Sequence, residues 1–426
     1  MENYDVIIIG AGAAGMMAAM AAGNIRASGA QARVLLLDGR EKIGAKILVS
    51  GGTRCNVTNE FVHPSRFHTD SDPNREMAFK GDGARSFVGR LLRAFSPEST
   101  LRFFENIGVE LKLEETGKYF PVSDSSREVL NALRKEVSDS GAELRTGVLV
   151  QSIDRENNEF RVETNAGVLR SRAVIICTGG LALPKSGSDG AGLNWARQFG
   201  HSIISTTPAL TPLLAHESPH AHLSGIAVPV RLRFEGEKRV DYEGPMLFTH
   251  FGYSGPVALN ISRHVAREKG EVKMRLLPEV KDAEEGVFWQ EFVKRHSKKI
   301  FANALAEYFP RRVAETISLH ALGEFVYHPN VGQLNSDQQK AARAALFDWP
   351  LKIDAVADYV KAETTSGGVS LAEIEPATMM SKIENGLFFA GEVCDVDGWL
   401  GGYNFQWAWS SGTVAGRAAA RLALKS

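Results

Sequence analysis

The stretch from Tyr4 to Arg40, YDVIIIGAGAAGMMAAMAAGNIRASGAQARVLLLDGR, constrains this chain more than any other. It reads as a buried strand, a glycine turn, a helix of small residues and a second buried strand that ends on Asp38. In such a βαβ unit Gly10 permits the tight turn, Gly12 lets a diphosphate approach the backbone, and Gly15 lets the helix pack closely on the sheet. The helix N-terminus, with Ala13 and Ala14 in its first turn, then faces the phosphates, and Asp38 accepts hydrogen bonds from a ribose, with Gly39 and Arg40 beside it. The glycine spacing alone would recur by chance roughly 0.4 times in a chain of this glycine content. Its setting, between a strand and a helix and before an acid at the next strand's end, carries the dinucleotide reading. The segment is apolar enough for a signal peptide or membrane anchor, but its leader, MENYD, is acidic where a secretory leader is basic.

At 426 residues the chain exceeds what one core supports, so two or three folded units are expected. Lys and Arg total 49 against 50 Asp and Glu, and neither a basic patch nor an interaction tail is visible. That balance predicts a small-molecule substrate, with no nucleic acid or membrane partner. Cys55, Cys177 and Cys394 are far apart and lack CxxC or His-flanked spacing, which predicts no disulfide framework, no metal site and a reducing, cytoplasmic setting.

Two further stretches point to the sheet edge where such a cofactor lies. SRAVIICTGG is a hydrophobic strand running into Thr178, Gly179 and Gly180. Near the C-terminus, Leu387 to Ala390 form a short buried strand followed by Gly391 and Glu392, and a small-residue helix begins after Gly401 and Gly402. A polar or acidic residue just after that strand suits the ribityl chain of a flavin, and the helix N-terminus suits the negative charge near N1 and O2 of reduced flavin. NAD needs no such second site, so these features favour FAD.

With those three pieces the chain resembles the glutathione-reductase-like FAD superfamily. Within it, IGAKILVSGGTRCNVTN, PMLFTHFGYSGPVALNIS and TTSGGVSLAEIEPATMMSKIENGLFFAGEVCDVDGWLGGYNFQWAWSSG are similar to the BaiN-like or aminoacetone-oxidase-like bacterial flavoproteins. The resemblance implies an α/β fold: a Rossmann-like FAD-binding domain of the glutathione-reductase type with an inserted β-rich domain and a helical subdomain. It also implies noncovalent FAD. Disulfide reductases of the superfamily carry two cysteines in the loop around Cys55, but CNVTNEFVHP has no second one, so a dithiol cycle is not expected. The loop is expected instead to cradle FAD through Lys46, Ser50, Gly51, Gly52, Arg54 and Asn56, with Cys55 as a small packing residue, and Val148, Tyr403 and Asn404 join the expected cofactor contacts. Thr53 departs from the family, which often has a third glycine there, and residues 61 to 90 are atypical.

The rest of the chain gives the organisation. Ser96 and Pro97 start a helix that ends at Gly108, Ser125 or Ser126 caps another ending near Gly141, and a hairpin turns at Asn165 to Gly167. Ile226, Val228, Val230, Leu232 and Phe234 alternate at a strand period, and NSDQQKAARAALF opens with a capping box from Ser336 to Gln339. The expected units are an FAD-binding domain over 1–195 and 365–426, a β-rich substrate domain over 196–280 and 349–364, and a helical subdomain over 281–348.

The function expected is hydride transfer at flavin N5 to or from a small organic substrate, with reduction of an activated C=C bond and NAD(P)H as a transient donor among the readings. A small-amine oxidase, a flavin monooxygenase and a flavin-binding regulator or RNA-modification protein are the alternatives. A proton-transfer group is needed in either redox direction. The candidates are His250 and Tyr253 in LFTHFGYSGP, and Tyr403 at the start of the last helix.

Overall fold

The computed structural model describes residues 2–27, 30–71, 86–323 and 329–425, and divides into two compact units. The first runs to Thr207 and resumes at Glu363; the second is Pro208–Ala362. The four helices between 285 and 347 share the second unit with its sheet.

The first unit is built on a sheet in which Glu2–Ile9 lies parallel between Val34–Asp38 and Gly167–Ile176. Glu143–Thr146 extends it on one side, and Leu387–Phe389 pairs with the end of Gly167–Ile176. On the other side an antiparallel meander, Val150–Glu156 and Glu159–Thr164, joins the start of Gly167–Ile176. Apolar runs without polar alternation make parallel strands that are covered on both faces, and Ile7, Ile8, Leu35, Leu36, Val174 and Ile175 are fully buried. Ile9 lies opposite both Ile176 and Leu37, and Ile176 opposite Phe389. The carboxyl ends of four strands therefore finish level with one another.

The helices Ala13–Gly23 and Tyr403–Lys425 pack together. Their separation is set by glycine: a Cβ on Gly412 would lie 2.3 Å from Ala14 O, and one on Gly416 2.2 Å from Ala18 O. Side chains buried along the C-terminal helix are satisfied by two segments, residues 57–58 and 95–100. The Gln406 amide accepts from Thr58 and Thr100 Oγ1 and donates to Phe95 O, while the Trp409 indole donates to Val57 O at 2.9 Å.

The second unit is a seven-stranded antiparallel sheet whose longest pair is Ala227–Glu235 with Arg239–Thr249. Val228, Val230, Leu232 and Phe234 face inward, as the alternation requires, and helix Pro256–Arg267 packs on these strands. The capping box falls one residue earlier than expected, because Asn335 is the better acceptor: its side chain takes Gln338 N at 2.9 Å, and Gln338 returns to Asn335 N. Ser96 does cap Pro97–Asn106, accepting from Ser99 N, whereas Ser125 precedes Ser126–Asp139 without a side-chain cap bond. Within the atypical 61–90 stretch, residues 72–85 lie outside the described residues.

Candidate active site

The level strand ends bring the fingerprint residues together. Gly10 has φ +103°, and a Cβ there would sit 2.6 Å from Cys177 O, so the turn is pinned against the neighbouring strand. Gly15 is tighter still, since its Cβ would fall 1.8 Å from Gly10 O. Gly12 is different: nothing lies within 4 Å of where its Cβ would point. It is the N-cap of Ala13–Gly23, whose first turn carries no side-chain cap and no acid. Open space in front of uncapped N–H groups is what a diphosphate requires. Asp38 is fixed beside it, one oxygen accepting from Ala11 N and the other from Arg40 N, both at 2.9 Å. Val148 N donates to Asp38 O, which places Val148 at the same edge, and Gly39 lies against Leu149.

Beyond the ends of Gly167–Ile176 and Leu387–Phe389, and at the start of Thr364–Val369, lies a polar cluster. Lys46 Nζ and Glu392 Oε2 meet at 2.5 Å across 346 residues of chain. Glu392 Oε1 accepts from Thr365 N at 3.0 Å, and Thr365 Oγ1 accepts from Leu181 N and Ala182 N. Gly180 is required there because a Cβ would stand 2.4 Å from Thr365 Oγ1. Thr178 Oγ1 is buried and has no hydrogen-bond partner among the described residues. The Gly391 backbone, by contrast, is satisfied on both sides: its N–H donates to Ser411 Oγ, and its carbonyl accepts from Trp407 Nε1.

The loop that contains Cys55 is sewn to the start of the last helix. Helix Ala45–Thr53 is broken at Ser50, Gly51 and Gly52, and Thr53 and Cys55 follow at φ +72° and +66°. Asn56, with its amide oriented to suit both neighbours, donates to Thr58 O and accepts from Gly402 N, each at 3.0 Å. Asn59 Nδ2 donates to Gly401 O, and the Asn404 amide exchanges two hydrogen bonds with the Gly398 backbone. Arg54 turns onto Phe120, 3.9 Å from the ring centroid, and pairs with Glu114 at 2.6 Å. The Cys55 thiol is fully buried, and burial pushes its pKa up to about 12, so it carries no nucleophilic thiolate near neutral pH.

The three proton-transfer candidates occupy different settings. Tyr403 belongs to the first unit and is nearly buried; burial raises its pKa, and its hydroxyl reaches Asn59 Oδ1 and Phe61 O only at 3.4 and 3.5 Å. His250 and Tyr253 belong to the second. His250 is exposed at the tip between Arg239–Thr249 and Gly252–Ser254. Tyr253 is fully buried, its hydroxyl 2.8 Å from His220 Nδ1, and burial pushes its pKa up to about 12 and that of His220 down to about 4.

Two residues here carry no mark in the sequence that would single them out. Thr365 is a small polar residue in a glycine run, with nothing but that run to flag it. Asp395 sits in the run GEVCDVDG and is fully buried. Its Oδ2 accepts from Thr69 Oγ1, Asp70 N and Ser71 Oγ, Oδ1 has no partner among the described residues, and burial raises its pKa.

The open turn at Gly12, the fixed Asp38 and the orphaned Thr178 hydroxyl fit FAD laid across the strand ends, and the chain is an FAD-dependent oxidoreductase. It belongs to the HI0933-like Rossmann-domain family, whose model matches residues 4–418. It is 36% identical to the ribosomal RNA dihydrouridine synthase of Escherichia coli over 96% of each chain. It is 32% identical to the 3-dehydro-bile acid delta(4,6)-reductase of Clostridium scindens, over 97% of this chain and 98% of that one. Among solved structures, the open form of a flavocytochrome c3 fumarate reductase superposes with a TM-score of 0.50 at 19% identity, covering 99% of this chain and 79% of that one, which is a likeness of fold. No helix among the described residues is long and apolar enough to cross a membrane.

Proposed function

We propose that this protein reduces a carbon–carbon double bond conjugated to a carbonyl, and that its substrate is uridine in ribosomal RNA. One observation supports the reading: among relatives similar over nearly the whole chain are a ribosomal RNA dihydrouridine synthase and a delta(4,6)-reductase, whose products both imply saturation of such a bond in unlike molecules, and the RNA enzyme shares more identity with this chain. Dihydrouridine is uridine with its C5–C6 double bond saturated. The bile-acid enzyme, the BaiN-like side of the resemblance, supports a small enone as the second reading.

Bound FAD supplies the hydride at N5, replenished by NAD(P)H. The chain's own residues supply the rest. The turn at Gly10–Gly15 and Asp38 would hold the adenosine diphosphate, and Glu392, kept in place by Lys46 and Thr365, would bind the ribityl chain. A conjugate reduction adds hydride to the carbon β to the carbonyl and a proton to the α carbon. Tyr403 is the proton donor in this reading, because it lies in the FAD-binding unit, stays protonated at neutral pH and is only loosely engaged. The test is anaerobic reduction of the flavin by NADH or NADPH, followed by addition of ribosomal RNA from a strain lacking this gene. Reoxidation of the flavin with one dihydrouridine gained is expected. Unchanged RNA, with the flavin reoxidised by a steroid dienone instead, selects the second reading. Tyr403→Phe should keep FAD and its reduction by NAD(P)H but slow uridine reduction by ~100-fold or more; an unchanged rate removes Tyr403 from the reaction.

A further inference from the structure

We propose that a basic surface on the second unit, formed by Lys294, Arg295, Lys298 and Lys299 at the end of helix Glu285–His296 and by Arg311 and Arg312 at the start of helix Arg311–Leu322, binds the phosphate backbone of the RNA substrate. This rests on the RNA reading above and says where that substrate is held. All six side chains are on exposed residues. From the start of the first helix to the end of the second, residues 285–322, these six cations stand against four carboxylates, Glu285, Glu291, Glu307 and Glu315, a local charge of +2 in a chain whose net charge is −1, and Glu285 is taken up by Arg275. The positive charge is only partly spent internally. Glu307 is shared by Lys299 and Arg295, Arg311 pairs with Glu315 one helical turn on, and Arg312 donates to His222 O. Lys294 and Lys298 have no ion-pair partner among the described residues.

The surface is built on fixed backbone. Val331 N donates to Lys299 O, Gly332 N donates to Ser297 O, and the ring of Tyr308 packs edge-on against Phe288 and His296 and tilted against Phe292. Tyr308 and Ile300, in the segment between the two helices, nonetheless remain 38% exposed. Rigidly presented cations with a partly exposed aromatic ring in the same segment suit a strand of nucleic acid, whose phosphates pair with the cations while a base packs on the exposed part of the ring. An acidic protein partner would use the cations but has no need of the ring.

The experiment compares the FAD-loaded wild type with Lys294→Glu/Lys298→Glu, and with a control of equal charge change on other exposed lysines, Lys238→Glu/Lys352→Glu. Binding of protein-free ribosomal RNA is read by anisotropy at several salt concentrations, alongside flavin reduction by NAD(P)H. The expected result is a tenfold or larger loss of affinity for the 294/298 variant, with the slope of log affinity against log salt shallower by about 1.4, because two phosphates of a single strand are no longer neutralised. Flavin reduction should be unchanged, and the control should lose much less. Equal affinity in the 294/298 variant, or an equal loss in the control, overturns the surface while leaving the RNA reading intact. A wild type that reduces no uridine in ribosomal RNA overturns the reading, and the surface with it.

Discussion

The turn after the first strand and the loop from Ser50 to Asn56 both belong to the proposed cofactor cradle, yet they handle backbone constraint differently. In the first, the residue at positive φ is Gly10, and the closest approach, 1.8 Å for a Cβ, is made by Gly15. In the second, Gly51 and Gly52 take the left-handed region, but so do a β-branched threonine and a cysteine, Thr53 and Cys55. The first turn is decided by clashes between near neighbours and the adjoining strand, so only glycine fits at positions 10 and 15. The second is held in an unfavourable shape by distant partners: Tyr119 O receives Val57 N, Trp409 Nε1 reaches Val57 O, and Asn56 bridges to Gly402.

The largest test of that contrast is Gly15→Val. No neighbour can relax, because the obstacle is the backbone of the same turn, and a loss of ~3 kcal/mol or more is expected. Purification should give little folded protein and no flavin absorbance; a stable yellow variant would break the local account of the turn. Next, Asn56→Ala removes both bridges from the strained loop. Thermal unfolding should show a loss of ~2 kcal/mol, since a buried acceptor and donor are left unpaired, and a silent change would mean that the loop holds itself. Gly12→Ala separates binding from folding: with open space around the Cβ, the apoprotein's melting temperature should hardly move, while the dissociation constant of FAD should rise roughly tenfold or more as the methyl group intrudes on the diphosphate. Equal FAD affinity would place the diphosphate elsewhere. The smallest effect is a gain. Thr53→Gly relieves left-handed strain and should stabilise the protein by about 1 kcal/mol in denaturant titration.

The same contrast explains what could be read in advance. Gly10, Gly12, Gly15 and Asp38 were legible because strand period and local sterics fix them within one short βαβ unit. Lys46 and Glu392 were each identifiable, but not their pairing, which depends on strand ends that the sheet brings level. Thr365 was invisible for the same reason: its hydroxyl matters because Leu181 and Ala182 arrive beside it. The run KRHSKK, 294–299, was present in the sequence but diluted by a balanced total charge. Its meaning depends on Glu307, Tyr308 and Arg311 folding back alongside it. Between Thr207 and Pro208 no change of composition marks the unit boundary, because the chain passes through it within a continuous strand, Ile203–Ala209.

The backbone contact between Ala14 and Gly412, and between Ala18 and Gly416, also sets a timetable for synthesis. The first helix leaves the ribosome roughly 390 residues ahead of the helix it must pack against, a wait of about 20 to 80 s at ~5–20 residues per second. Throughout that interval the strand Leu387–Phe389 and the Glu392 carboxylate are also missing, so the nascent chain offers FAD half a cradle. Cofactor capture therefore waits until the last helix has emerged. Ribosome-bound chains stalled before residue 387 should carry no FAD, whereas chains extended past Ser426 by an unstructured tether should carry it in full.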